Sequence, residues 1–314
     1  MQDDESWARD SLRDIALEGV RERRRARRWG IFFKLLILSY LFALLFFSIR
    51  PLSGLGEQQA TGPHTAVVTV DGPIMADSPA SAERVIAGLR RAFEAPGARG
   101  VLLEINSPGG SPVESSRIYQ AITRLRDAHP TMPLHAVAGD SMASGAYYIA
   151  AAADGIHADG ASVVGSIGVI SRGFGFSDAI ARLGIERRVY AAGANKNSLD
   201  PFAPPDDESE RHLQTMLDDI HAQFIAAVRS GRGDKLTGNN EALFSGRMWT
   251  GRQGLELGLV DSLASPAVVA EEVIGAGRRI DYTPPRKWLD RVIERVGGAA
   301  ARAMVDWQHP GWTR

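Results

Sequence analysis

An apolar run, Pro133-Leu134-His135-Ala136-Val137-Ala138-Gly139, passes through Asp140-Ser141-Met142-Ala143 into Ser144-Gly145-Ala146-Tyr147-Tyr148-Ile149 and four alanines. The first run has the length and composition of a short buried strand, and the second is rich in strong helix formers. Ser144 therefore stands where a strand turns into a helix. A serine at the first turn of a helix has unpaired backbone N–H groups beside it, and these can stabilise an oxyanion as well as cap the helix. The plainer reading of this junction is that Ser141 or Ser144 is only a helix cap.

The same alternation recurs along the chain. Thr65 to Val70 reads as a strand with a turn at Asp71-Gly72, and Ser78-Pro79 opens a helix carrying Val85, Ile86, Leu89 and Phe93 at helical spacing up to Pro96. Gly100 to Asn106 is a second buried strand, followed by Ser107-Pro108-Gly109-Gly110-Ser111 and a helix from about Val113 to Ala128. After Ser144 the pattern predicts strand structure at Ile156 to Ala158 and Ser162 to Ile170, a helix at Ser177 to Leu183, and a strand at Glu186 to Tyr190. A loop, Ala191 to Pro201, holds Lys196 among small residues, and an amphipathic helix spans about Asp207 to Ser230. Phe244 to Gly251 leads into a short helix and Gly258-Leu259-Val260-Asp261. Strands alternating with helices imply right-handed crossovers, hence an α/β fold with a mainly parallel, helix-covered sheet.

The N-terminus carries a different signal. Arg21, Arg23, Arg24, Arg25, Arg27 and Arg28 precede Ile31 to Ile49, nineteen residues interrupted only by Lys34, Ser39, Tyr40 and Ser48. At 1.5 Å per residue such a helix is about 28 Å long, close to the roughly 30 Å of a bilayer's hydrocarbon core. The arginines favour a cytoplasmic N-terminus, which places the bulk of the chain on the periplasmic or extracellular side of an inner, cytoplasmic membrane. A cleaved signal peptide fits less well, because the basic region is long and no small-x-small site follows the apolar run. The expected division is a cytoplasmic basic segment (1–28), a single transmembrane signal anchor (29–50), a linker (51–64), an α/β domain (65–281) and a helical tail (282–314).

Composition narrows the function classes. The 314 residues are 44% hydrophobic, enough for a globular core, and the net charge of −1 gives no reason to invoke nucleic acid. With no cysteine, thiol catalysis, disulfides and cysteine-ligated zinc are excluded. There is no His-Glu-x-x-His zinc signature, and the residues around Ser144 do not form a Gly-x-Ser-x-Gly elbow. None of the seven histidines sits in a setting that marks it as a base.

Asn106-Ser107-Pro108-Gly109-Gly110, the Ser141 to Tyr148 segment, Gly165-Ser166-Ile167-Gly168-Val169, the loop at Lys196 and Gly246-Arg247 through Asp261 resemble, in order and spacing, the signal peptide peptidase A family of membrane-anchored serine proteases. The likeness covers about Thr65 to Leu263. It implies a fold similar to the Clp protease and crotonase superfamily and a Ser/Lys dyad. Carried over by position, Ser144 is the nucleophile, Lys196 the general base, and Gly110 and Gly145 the oxyanion-hole donors. Beside this, Gly165 to Val169 reads as a structural close approach of backbone, with Ser166 a candidate for orienting Lys196. Two positions depart from the family pattern: Ala146 stands where a second glycine is common, and Gly254 where alanine is usual. The family's tandem members draw serine and lysine from different domains, and this chain has length for one. The resemblance therefore implies a homo-oligomer in which Ser144 of one subunit meets Lys196 of the next.

These expectations hang together chemically. A serine hydroxyl needs a base, and a lysine serves as one only in its neutral form. The implied activity is endopeptidase cleavage of peptides, above all signal peptides left in the membrane after secretion, with no metal, nucleotide or organic cofactor. Two other classes share part of the pattern: a crotonase-type acyl-CoA enzyme, which would use the same Gly-Gly loop, and a catalytically inactive membrane scaffold.

Overall fold

The structure, a computed structural model, describes residues 24–25, 27–43, 62–237 and 239–285. Residues 1–23 and 26 of the expected basic segment 1–28, the end of the expected anchor at 44–50, linker residues 51–61, Gly238 and the tail from 286 onward lie outside the described residues. The chain divides into two compact units, Met1–Gln59 with Trp288–Arg314, and Ala60–Lys287.

In the first unit, helix α1 (residues 27–43) leaves its large apolar side chains exposed, among them Phe33, Leu36, Leu38 and Phe42. No helix among the described residues is long and apolar enough to cross a membrane.

The second unit is built on a sheet of eight strands. In chain order its elements are β1 (His64–Asp71), α2 (Ala82–Phe93), β2 (Ala98–Ser107), α3 (Pro112–Ala128), β3 (Leu134–Ala143) and α4 (Gly145–Ala150). Then follow β4 (Gly155–Ala158), β5 (Val163–Gly165), α5 (Ser177–Arg182), α6 (Asp207–Arg232), α7 (Asn240–Leu243), β6 (Met248–Thr250), α8 (Gly251–Glu256), β7 (Ser262–Leu263), α9 (Pro266–Val268) and β8 (Arg279–Asp281). The strand order is β6-β5-β3-β2-β1-β8, with β4 beside β3 and β7 beside β4. Every pairing is parallel except β5 with β6.

The central strands are apolar on both sides because both faces are covered. Val101, Leu103 and Ile105 of β2 join a core with Leu89, Ile118, Tyr147 and Phe224 from the helices. Leu102 turns the other way, onto Val67, Val137, Val269 and Ile274. The 3.6-residue spacing seen in the sequence of α2 is the reason Val85 and Leu89 reach this core.

Strand β3 organises the site end. Its first half pairs with β4, His135 to Val137 against Gly155 to His157. Its second half pairs on the same side with β5, Ser141 to Ala143 against Val163 to Gly165. The register against β2 slips between Ile105 and Ser107, where Asn106 Oδ1 accepts the Ser141 N–H at 3.3 Å. The strand therefore runs four residues beyond the apolar run and delivers Ser144 at its end.

Two expectations require correction. Glu186 to Tyr190 is not a strand: it pairs with nothing, and every residue in it is exposed. Its alternation of Ile185, Val189 and Tyr190 with charge has no sheet edge to meet. The run Ser162 to Ile170 is paired only at Val163–Gly165 and then leaves the sheet.

Candidate active site

Ser144 occupies the turn between β3 and α4 with φ 52° and ψ −125°, left-handed backbone that a non-glycine residue adopts at a cost of about 1–3 kcal/mol. Its N–H donates to Gly165 O at 2.8 Å and its carbonyl accepts the Tyr148 N–H at 3.0 Å, so both neighbours fix the turn. Its side chain makes no capping bond, and Ser141 lies inside β3. The helix-cap reading of either serine is therefore set aside. A serine held in strained backbone at a strand-to-helix turn, with its hydroxyl uncommitted to the helix, has the geometry of a nucleophile elbow without that motif's glycines.

The Gly109-Gly110 loop comes up against this turn. Gly109 has φ 94° and Gly110 φ 155°. A β-carbon on Gly109 would stand 2.7 Å from Gly145 N and 2.8 Å from Ser144 Cβ. Gly110 N lies 3.3 Å from where a β-carbon of Gly145 would be, so the two backbone amides are neighbours. The Gly145 N–H, at the first position of α4, is among the donors a helix leaves without an internal partner. The loop is held by Ile74, whose N–H donates to Gly109 O at 2.9 Å and whose carbonyl accepts the Ser111 N–H at 2.8 Å. Ser144, Gly110 and Gly145 thus come together from two loops.

They open onto a cleft of about 120 Å³ whose lining includes Ser115, Tyr148, Val169, Ile170, Ile220 and Phe224. The cleft's apolar floor comes from Tyr148 and Phe224, with ring centroids 4.9 Å apart. The sequence reading missed Ser115, Ile220 and Phe224. Ser115, fully buried, donates its hydroxyl to Ser111 O at 2.9 Å, one turn after the Ser111 N-cap. Phe224 is one of four buried residues on α6, all in its C-terminal half. That asymmetry was a usable signal, since the N-terminal half of the helix carries Asp207, Glu208, Glu210 and Arg211.

Lys196 is elsewhere. It is exposed, lies in the loop after Gly193 and is not part of the lining around Ser144. Ser166 also has left-handed backbone, φ 54°, and its N–H donates to Arg247 O at 2.7 Å. Among the described residues no hydrogen bond joins Ser166 to Lys196. The segment bearing the lysine is unusual: α5 buries no residue, and Phe174, Leu183, Ile185 and Tyr190 stand exposed around it.

Buried polar groups outside the cleft brace α4. Tyr147 is fully buried, its hydroxyl donates to Leu259 O at 2.7 Å, and burial pushes its pKa up. Arg232 donates to both carboxylate oxygens of Asp261, at 2.7 and 3.0 Å, and to Gly258 O. Burial alone would raise the Asp261 pKa, but the Arg232 and Lys235 hydrogen bonds and the Ile156 N–H outweigh it and hold the carboxyl well below the usual range. His157 contacts His135, Nε2 to Nδ1 at 3.1 Å, and Ser262 Oγ through Nδ1 at 2.8 Å. Burial, and then the neighbouring His135, bring His157 down to about 4. Among the described residues no group of three or more acidic, histidine or cysteine side chains is placed to hold a metal ion. Gly254 has a packing reason: a β-carbon there would stand 2.8 Å from Val164 Cγ2.

The chain is similar to known proteins. Residues 126–273 match Peptidase family S49, a stretch that includes Ser144, Ser166 and Lys196 but not Gly110. The chain is 42% identical over 201 residues to a Brucella melitensis protein named Na(+)/H(+) antiporter NhaA, covering 64% of this chain and 27% of that protein. It is 30% identical over 206 residues to Protease 4 of Haemophilus influenzae, covering 64% of this chain and 32% of that one. It is 29% identical over 207 residues to the chloroplastic serine protease SPPA of Arabidopsis thaliana, covering 63% and 29%. The chain thus spans 32% or less of the length of each of these relatives. On these matches the chain is similar to Peptidase family S49 over residues 126–273 and, over 63–64% of its length, to part of the Protease 4 and SPPA proteins.

Proposed function

We propose that this protein is a serine endopeptidase in which Ser144 attacks the peptide carbonyl to form an acyl-enzyme. The observation that carries this reading is the convergence of Ser144, in strained backbone at the end of β3, with the neighbouring amides of Gly110 and Gly145. As the Ser144 Oγ–carbon bond forms, negative charge develops on the carbonyl oxygen, and two preorganised N–H donors stabilise it more than they stabilise the ground state. Collapse of that intermediate breaks the C–N bond, the amine leaves with a proton, and water then releases the acyl group. The Ser144 proton needs an acceptor. Lys196 fills that role in this reading, as the resemblance implies, with Ser166 orienting it.

Because Lys196 lies outside the cleft, the dyad is assembled between copies of the chain. The exposed apolar side chains around α5 support this, since an element that buries nothing within its own chain is suited to burial against another. The sheet is of the Clp protease and crotonase type in this reading, with the peptidase domain at 65–281, the linker at 51–64 and the tail at 282–314.

The substrates are apolar peptides, in particular signal peptides left in the membrane. The small, mainly apolar cleft fits such chains, and the exposed apolar side chains of α1 behind Arg24, Arg25, Arg27 and Arg28 favour a single-pass anchor with its N-terminus in the cytoplasm. Protease added to spheroplasts would digest the catalytic domain under this topology, and full protection in intact spheroplasts would refute it. The activity itself is tested by incubating the full chain in detergent with signal-like peptides. Cleavage that disappears in Ser144→Ala supports the reading, and equal cleavage by Ser144→Ala removes it.

A further inference from the structure

One part of the cleft lining is a segment with no regular structure. Gly168, Val169 and Ile170 line the cleft, yet among the described residues the backbone from 168 to 175 takes part in no backbone–backbone hydrogen bond. What holds this wall lies just before it. Ser166 N–H donates to Arg247 O at 2.7 Å, the Ile167 side chain is fully buried, and His221 Nε2 donates to Ile167 O at 3.1 Å. A carbonyl accepts only, so the proton sits on Nε2. His221 belongs to α6, and its neighbours Ile220 and Phe224 also line the cleft. The hydrogen bond therefore ties one wall of the cleft to the helix that supplies another.

We infer that His221 is a positioning residue: by holding the Ile167 carbonyl on α6 it sets the width of the cleft and presents the unpaired backbone of 168–170 to an extended substrate. The inference rests on the peptidase reading for its substrate, and on the Ile167 contact for its geometry. His221 is not in the cleft lining and its hydrogen bond goes to Ile167 O, so its loss is felt in substrate binding before it is felt in bond breaking. A neutral hydrogen bond of this kind corresponds to about a fivefold to tenfold change in an equilibrium.

The test uses the full chain with three substitutions. His221→Leu removes the donor, His221→Gln keeps an N–H near the Nε2 position, and His221→Glu offers only an acceptor at matched size should the leucine variant fail to fold. We expect KM for a peptide spanning the cleft to rise about fivefold to tenfold in His221→Leu and His221→Glu, with kcat within about twofold, and to return towards wild type in His221→Gln. Labelling of Ser144 by a small fluorophosphonate, which does not need the wall, should keep its wild-type rate in all three. An unchanged KM in the leucine and glutamate variants, a glutamine variant as impaired as leucine, or a labelling rate that falls as far as KM rises would each overturn the inference. Amide exchange at Ser166 separates this from the peptidase reading. Faster exchange in His221→Leu with recovery in His221→Gln supports the tie, and unchanged exchange refutes it even while Ser144→Ala shows the peptidase reading to hold.

Discussion

Gly109 lies directly beneath Ser144: a β-carbon at 109 would stand 2.8 Å from the serine's Cβ and 2.7 Å from the Gly145 nitrogen. The Gly109-Gly110 loop and the Ser144 turn are thus packed at a distance only glycine permits, and the φ of 94° at Gly109 adds a second reason for glycine there. Gly109→Ala must push the two loops apart. Because one displaced oxyanion donor costs about two to three orders of magnitude in kcat, we expect peptide turnover to fall about hundredfold or more while the protein stays folded. Steady-state kinetics within about threefold of wild type would contradict the packing.

Ser144 itself holds stored strain. Glycine adopts a φ of 52° freely, so Ser144→Gly should raise unfolding stability by about 1 kcal/mol after its own entropic cost, although it abolishes cleavage. Ser144→Ala keeps the strain and should not gain. Denaturant melts of the two inactive variants side by side check this, and equal stabilities would show the turn to be relaxed.

The contact between half-buried His135 and buried His157 gives a pH dependence to stability. The folded pKa of His157 lies at about 4, below the usual 6.5, so the unfolded chain binds the proton first as pH falls. The contribution is therefore fully present above about pH 6.5 and is lost between there and about 4, at up to roughly 1.4 kcal/mol per pH unit for this one group. Asp261, held below its usual range, loses its contribution only in stronger acid. Thermal melts between pH 7.5 and 4.5 should show Tm falling on acidification, less steeply in His157→Gln. A Tm independent of pH across that range would mean the pair titrates normally.

Much of this was legible in the chain. Strand-to-helix alternation predicted the parallel sheet, and the Ser144 junction and the Gly109-Gly110 loop were marked by residue type alone. What escaped was tertiary. Glu186 to Tyr190 has the residues of a strand but no partner edge, and only the fold decides that. The extension of β3 to Ala143 depends on the slip opposite Asn106. Phe224 and Ile220 meet Ser144 across the chain through the C-terminal half of α6, while His135 and His157 find each other on neighbouring strands. Lys196 was singled out by motif, and its exposure outside the cleft lining of its own chain is something no local pattern conveys.

If the dyad is shared between subunits, two inactive chains complement each other. In oligomers formed at random from equal amounts of Ser144→Ala and Lys196→Ala chains, about one interface in four pairs an intact serine with an intact lysine. Activity should recover to roughly a quarter of wild type on mixing before assembly. Demonstrably mixed oligomers with no activity would place both residues in one chain's site.

The most direct measurement of the central claim is to locate the acyl-enzyme nucleophile chemically. The full chain is treated with a fluorophosphonate, digested, and the adduct mapped by mass spectrometry. The account predicts a single stoichiometric adduct on the Ser144 hydroxyl, absent in Ser144→Ala and reduced at least about hundredfold in rate in Gly109→Ala. An adduct on another serine, or labelling undiminished in Ser144→Ala, would contradict it.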